Sequence, residues 1–241
     1  MRLRFKSELY EFKPKPIPLI SFIVCFAILL TLSFWQFKRL QWKENLIEIR
    51  VSSFEKLPRD LKEFPEPSEN EFRKITISGK LLNNKEMFMP ALSKNGNNGF
   101  HILVPLKTIN NEYYIFDTGW IPLRLKDLSK RLKYQDHNER EFQAVIRIPG
   151  RKGYFQPDND LKNNTWFFVE PKLMSDYVEI PFKNEIYLEA VSNGPNGFPL
   201  GNQTRIYLRN NHLQYALTWL FLSFGLIGVF LFANLRKLKK K

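Results

Sequence analysis

Two stretches of this chain carry no charge, and they constrain its fold more than any other feature. Pro16 to Phe37 (PIPLISFIVCFAILLTLSFWQF) runs for 22 residues, and Leu213 to Leu235 (LQYALTWLFLSFGLIGVFLFANL) runs for 23. As helices rising about 1.5 Å per residue, each reaches roughly 33 Å, enough for a hydrocarbon core of about 30 Å. Two buried core helices would need polar interruptions along one face, so transmembrane helices are the expectation. A cleaved signal peptide is not expected for the first. Its apolar run is too long, and Trp35-Gln36-Phe37-Lys38-Arg39 follows it rather than a small-residue cleavage site.

Charge orients these spans. The chain carries a net +13, and residues 1–15 (+3) and the segment after Leu235 (+5) hold most of it. Two basic ends joined by two spans belong on the cytoplasmic side. Lys38, Arg39 and Lys43 argue the other way at the first helix, but a long loop crosses largely regardless of its charge. The expected organisation is a cytoplasmic tail (1–15), a span (16–37), an extracytoplasmic domain (38–212), a second span (213–235) and a basic cytoplasmic tail (236–241). The basic excess therefore reads as topology and not as a nucleic-acid footprint, and no nucleic-acid-binding motif accompanies it.

The middle segment reads as an α+β, mainly antiparallel-β domain. Lys38 to Phe54 continues the first helix, and Pro58, Pro65 and Pro67 then break the chain into a loop. Strand-like runs follow at Phe72–Ser78, Lys85–Ala91, Phe100–Ile109, Glu112–Pro122, Phe142–Ile148, Asn164–Glu170 and Glu185–Val191. In the first, Phe72, Lys74, Thr76 and Ser78 alternate with Arg73, Ile75 and Ile77. Asn- and Gly-rich turns between such runs suggest an antiparallel sheet or partial barrel. Arg124–Lys133 and Pro171–Tyr177 read as short helices, and Ser192–Gly201 as an irregular loop.

Residues for catalysis are scarce, and no enzymatic activity is expected. The only cysteine, Cys25, excludes a disulfide scaffold, a Cys-rich zinc site and a CxxC redox centre. It lies near the middle of the first span and reads as a small hydrophobe. The three histidines, His101, His137 and His212, fall in no hydrolase, metalloprotease or nucleotide-binding motif. Asp158 and Asp160 suit a turn better than acid–base chemistry. Met87-x-Met89 lacks a second soft ligand nearby and fits a strand better than a copper site.

The informative residues lie where the spans meet the middle domain. Trp35, Arg39 and Lys43 recur at helical spacing, with Gln36 three residues before Arg39. Arg209, His212, Tyr215, Ala216 and Trp219 are spaced to share one face of the second helix. Two readings stand. Interfacial anchoring places Trp and Tyr at the headgroups and lets Arg and His reach toward them. Alternatively, an imidazole flanked by aromatic rings and a guanidinium offers an iron ligand, ring contacts and a propionate partner to haem.

Several of these residues also carry a resemblance. Gly201-Asn202-Gln203-Thr204-Arg205, Leu208-Arg209-Asn210-Asn211-His212-Leu213-Gln214-Tyr215 and Thr218-Trp219 resemble the C-terminal signature of the surfeit locus protein family. Trp35-Gln36-x-x-Arg39-x-x-x-Lys43 resembles its N-terminal signature, while Phe72-Arg73-x-Ile75-x-Ile77-x-Gly79 and Gly119-Trp120-Ile121-Pro122 resemble central blocks. Asp117-Thr118-Gly119 departs from the family's more usual Asn-Arg-Gly, and no role is assigned to it.

The resemblance implies an assembly factor for cytochrome c oxidase that assists haem a insertion into subunit I. The implied partners are subunit I, the haem a synthesis machinery and the lipid bilayer. His212 is the implied haem-iron ligand, with Arg209, Tyr215 and Trp219 in support and Trp35, Gln36, Arg39 and Lys43 as an interaction surface. Transient haem binding is the favoured mode; a cofactor-free scaffold for subunit I is the rival, and a missing thiol pair disfavours copper delivery. A count of 20 Asn against 6 Ala and a 15-residue acidic-containing N-tail favour a bacterial inner membrane over a mitochondrial one.

Overall fold

The computed structural model describes residues 2–5 and 8–237. Its elements are β1 (Arg2–Phe5), β2 (Glu8–Phe12), α1 (Pro16–Glu55), β3 (Arg59–Asp60), β4 (Lys74–Leu81), β5 (Met87–Leu92), β6 (Asn98–Thr108), β7 (Tyr113–Pro122), β8 (Arg140–Arg147), α2 (Pro171–Val178), β9 (Tyr187–Ala190), α3 (His212–Asn234) and β10 (Leu235–Lys237). They form two compact units. One comprises the chain up to Glu48 and from Leu208 onward, and the other comprises Ile49–Tyr207.

The first unit is built on two helices, each long and apolar enough to cross a membrane. Pro16 and Pro18 are tolerated in the first turn of α1, where backbone N–H groups have no intrahelical acceptor. Three contacts link the antiparallel helices: Phe22 stacks on Phe230 at 4.2 Å, the Ser33 hydroxyl donates to the Ala216 backbone carbonyl at 2.9 Å, and the Gln36 side chain meets that of His212. Ser33, Ala216 and Ser223 are the buried positions of these two helices, and such small residues permit close backbone approach. Most large apolar side chains point outward instead, including Ile17, Ile20, Phe221 and Phe232. The basic ends pair in a three-stranded antiparallel sheet in the order β1–β2–β10.

The second unit contains a closed barrel. β4 pairs with β8, β8 with β9, β9 with β7, β7 with β6, and β6 returns to β4. Gly79 sits where β4 turns from β8 to β6, pairing with both Arg140 and Thr108. A Cβ there would strike the Lys107 carbonyl, so the corner needs glycine. Short β3 lies beside β4, and β5 lies beside β6. All ring pairings are antiparallel except β7–β9.

Strand alternation divides the apolar residues between two cores. Ile75, Ile77, Ile102, Val104, Leu106, Phe116, Phe142, Ala144, Ile146 and Leu188 fill the barrel. Met87, Leu103 and Ile115 face outward, where Trp166, Met174 and Val178 cover them. The alternation read at Phe72 starts later than expected. Phe72 has a left-handed φ of 68° and is buried between the Arg50 and Arg147 guanidinium groups, each 4.7 Å from its ring. Regular pairing of β4 begins at Lys74.

Two expected elements are replaced by turns. Asn164–Glu170 is not a strand beyond the bridges at Thr165. Asn164 is left-handed, and the Asn159 side chain accepts from the Phe167 and Phe168 N–H groups at 2.8 and 3.3 Å, so a side chain replaces a ladder partner. Arg124–Lys133 is not an α-helix but part of three 3-10 turns. Asp127 accepts from the Ser129 N–H at 3.0 Å, a local bond that competes with helical continuation.

Candidate functional site

The first helix ends its apolar run near Gln36, and the second begins at His212. Their antiparallel arrangement brings these residues together although 176 positions separate them. His212 Nδ1 lies 2.7 Å from Gln36 Oε1. An amide oxygen only accepts, so Nδ1 donates, and in the neutral ring this leaves the lone pair on Nε2. This pattern is the one that a carbonyl imposes on metal-binding histidines. The His212 backbone N–H is held at 3.3 Å by Asn210 Oδ1.

The other anticipated residues are arranged differently. Arg209 is not on the second helix, because α3 starts at His212. With the Asn211 amide oxygen turned toward it, the Arg209 guanidinium donates from Nε and Nη2 at 3.0 and 3.1 Å. Ala216 is buried against Ser33, whereas Tyr215 is exposed and Trp219 is partly buried. Trp35 and Arg39 are exposed, Lys43 is partly buried, and Arg39 stacks 4.4 Å above Trp42. Gln36 is thus the member of its motif that reaches the C-terminal motif through a side-chain hydrogen bond.

A second polar constellation lies on the outer face of the barrel and was not anticipated. His101 Nδ1 on β6 is 2.6 Å from Asp117 Oδ2 on β7, and Asp117 Oδ1 accepts from the Gly119 N–H at 2.9 Å. Asp117 aligns with Glu189 on β9. Glu189 Oε1 accepts from Arg147 and Tyr187, each at 3.0 Å, and Oε2 accepts from Thr204 at 2.6 Å. Burial lowers the His101 pKa, but the charge and hydrogen bond of Asp117, aided by Glu189, raise it overall against an opposing effect of Arg205. Burial and the neighbouring Glu189 also push the Tyr187 hydroxyl well above its ordinary value.

This constellation explains part of the C-terminal motif. Gly201 donates to Asn193 Oδ1 at 2.9 Å, and a Cβ on it would strike the Ser192 carbonyl. Asn202 is left-handed and donates its backbone N–H to the Ala190 carbonyl at 2.8 Å. Thr204 then hydrogen-bonds Glu189, so residues 201–204 fasten the chain to the barrel. The available sequence signal was the outward register of His101, Asp117 and Glu189, which needs the strand pairing to become visible.

The barrel end also encloses a cavity of about 270 Å³, with Val104, Phe116 and Phe142 in its lining and the Glu86–Arg131 pair at its edge. That is close to the lower end of the about 300–1,000 Å³ common for pockets holding drug-sized ligands. Among the described residues, no group of three or more His, Cys, Asp or Glu side chains could hold a metal ion.

Comparison with known proteins matches residues 23–224 to the SURF1 family. A SURF1-like protein of Rickettsia felis is 28% identical over 216 residues, covering 86% of this chain and 92% of that protein. Surfeit locus protein 1 of Takifugu rubripes is 28% identical over 223 residues, covering 83% and 91%. The mouse protein of that name, from Mus musculus, is 28% identical over 222 residues, covering 83% and 71%. The family match takes in the barrel, the Gln36–His212 contact and residues 201–205, and on that extent this chain belongs to the SURF1 family.

Proposed function

We propose that this chain is a non-catalytic assembly factor anchored in a bacterial inner membrane by α1 and α3. Both ends lie in the cytoplasm, and the barrel lies on the periplasmic side. Its task is to assist haem a insertion into subunit I of cytochrome c oxidase, with subunit I and the haem a synthesis machinery as partners. The observation that carries this reading is the Gln36–His212 hydrogen bond, which joins the two motifs at the edge of two apolar helices and, in the neutral ring, leaves the Nε2 lone pair free to ligate a metal.

His212 would hold the iron, with Tyr215 and Trp219 as ring contacts and Arg209 as the partner of a propionate. Haem supplies the oxidase with a redox-active iron. In this chain, Gln36 fixes the tautomer and direction of the imidazole, while exposed Trp35 and Arg39, together with Lys43, offer a contact surface to subunit I. One imidazole provides one strong bond to iron, a hold suited to release.

A cofactor-free scaffold for subunit I is the second reading, in which the exposed Trp35 and Arg39 serve as a contact surface without any bound group. Absorption spectra of the purified full chain, co-expressed with a source of haem a, separate these readings. Haem absorbance in the wild type and its loss in His212→Ala, at matched expression, support transient haem binding. A haem-free wild type supports the scaffold, and full occupancy in His212→Ala places the ligand elsewhere.

A further inference from the structure

Between β8 and the Thr165 bridge, the barrel unit presents a short loop with two highly exposed aromatic side chains. Tyr154 and Phe155 are 95% and 94% exposed, and their rings pack edge to face at 5.0 Å. Water contact on this scale opposes the hydrophobic effect, and two adjacent aromatic side chains form one apolar tip. The tip is held in place by hydrogen bonds. The Gln156 N–H donates to the Gly153 carbonyl at 3.0 Å, which puts both aromatics at the centre of a four-residue turn. The Gly153 N–H donates to Gln156 Oε1 at 3.0 Å, and Gln156 Nε2 donates to the Phe167 carbonyl at 2.5 Å.

Charge identifies the surface that this tip fits. Arg151 and Lys152 immediately precede it, and both are exposed. Lys152 pairs with exposed Asp158, while Arg151 has no ion pair among the described residues. Aromatic rings at headgroup depth beside basic side chains match an anionic bilayer interface. Two helices able to cross a membrane belong to the same chain as this loop, and such tethering raises the effective concentration of bilayer surface for it.

We infer that Arg151, Lys152, Tyr154 and Phe155 form a bilayer-interface anchor, with the aromatic pair entering the headgroup layer and the basic pair meeting anionic lipid phosphates. This inference rests on the membrane placement proposed above.

The test uses the full chain in nanodiscs of phosphatidylcholine with or without phosphatidylglycerol. In a Cys25→Ser background, Gly150→Cys carries an environment-sensitive fluorophore; a Cβ at Gly150 meets nothing within 4 Å. Lipids brominated near the headgroup should quench the probe, more strongly when phosphatidylglycerol is present. Tyr154→Ser/Phe155→Ser should lose most of that quenching, with near-UV circular dichroism of the barrel unchanged. Arg151→Gln/Lys152→Gln should lose the phosphatidylglycerol-dependent part. Equal quenching with and without the aromatics overturns the anchor, as does a probe that lipid never quenches, including one shielded only by another protein. A chain that fails to enter nanodiscs overturns both the membrane placement and this inference, whereas an inserted but unquenched chain overturns the loop assignment alone.

Discussion

The helical pair and the barrel use apolar residues in opposite ways. In the barrel, Ile75, Leu106, Ala144 and Leu188 are fully buried within a closed ring of strands. In α1 and α3, large apolar side chains face outward, while Ser33, Ala216 and Ser223 occupy the buried positions. The barrel encloses its apolar side chains, whereas the helices leave most of theirs exposed. Polar contacts differ correspondingly: sparse, specific links between the helices, and a connected network on the barrel's outer face.

The largest contrast is expected between two leucines. Leu188→Ala should destabilise the barrel by about 2–5 kcal/mol, through lost burial and an unfilled cavity. Leu222 on α3 is 50% exposed, and Leu222→Ala should change stability in detergent by no more than about 0.5 kcal/mol. Denaturant unfolding followed by near-UV circular dichroism measures both. Comparable losses would break the distinction between the two units.

Thr204→Val sharpens the comparison on its polar side. Thr204 is buried and donates to a carboxylate oxygen of Glu189, so loss of this charge-assisted bond should cost about 1.5–3 kcal/mol. Thr204→Ser should recover most of that loss by restoring the hydroxyl. Failure of serine to rescue would assign the effect to the methyl group and remove Thr204 from the polar fastening.

Ser33→Ala should have a smaller effect, because the Ser33–Ala216 link is a neutral hydrogen bond between apolar helices. Such links average about 0.6 kcal/mol. Reversible unfolding in lipid micelles should detect a loss of that order. Ser33→Leu should cost more, since it fills the space that permits close approach. If leucine is no worse than alanine, the helices are not closely packed at Ser33.

These differences also explain what the sequence made legible. Alternation exposed β4, strand-like runs between Asn- and Gly-rich turns exposed β6 and β7, and uninterrupted apolarity exposed the N-terminal half of α1 and nearly all of α3. Barrel closure depended on the non-local pairing of β4 with β6, for which local periodicity contains no signal. The strand expected at Asn164–Glu170 failed because Asn159 supplies acceptors to Phe167 and Phe168 from outside that segment. Gln36 and His212 were both recognisable candidates, but their contact emerges only when the helices pair antiparallel. Asp117 was legible as a departure from a motif, while its attachment to His101 required strand register.

The smallest expected effect is a pH dependence confined to the barrel. The charged groups influencing His101 are Asp117 and Glu189, which favour its protonated form, and Arg205, which opposes it. Burial also opposes protonation, but the folded pKa is raised above the usual 6.5. The folded state therefore binds the proton more strongly than the unfolded chain does. This contribution to stability is fully present below about pH 6.5 and disappears as pH rises through the higher folded pKa. Barrel stability should fall gently over that interval, and His101→Asn should flatten the matching part of the profile. The difference between the two profiles isolates His101 from His137 and His212. A wild-type stability that rises across the interval, or an unchanged slope in His101→Asn, would show that the His101–Asp117 pair does not preferentially hold a proton in the folded barrel.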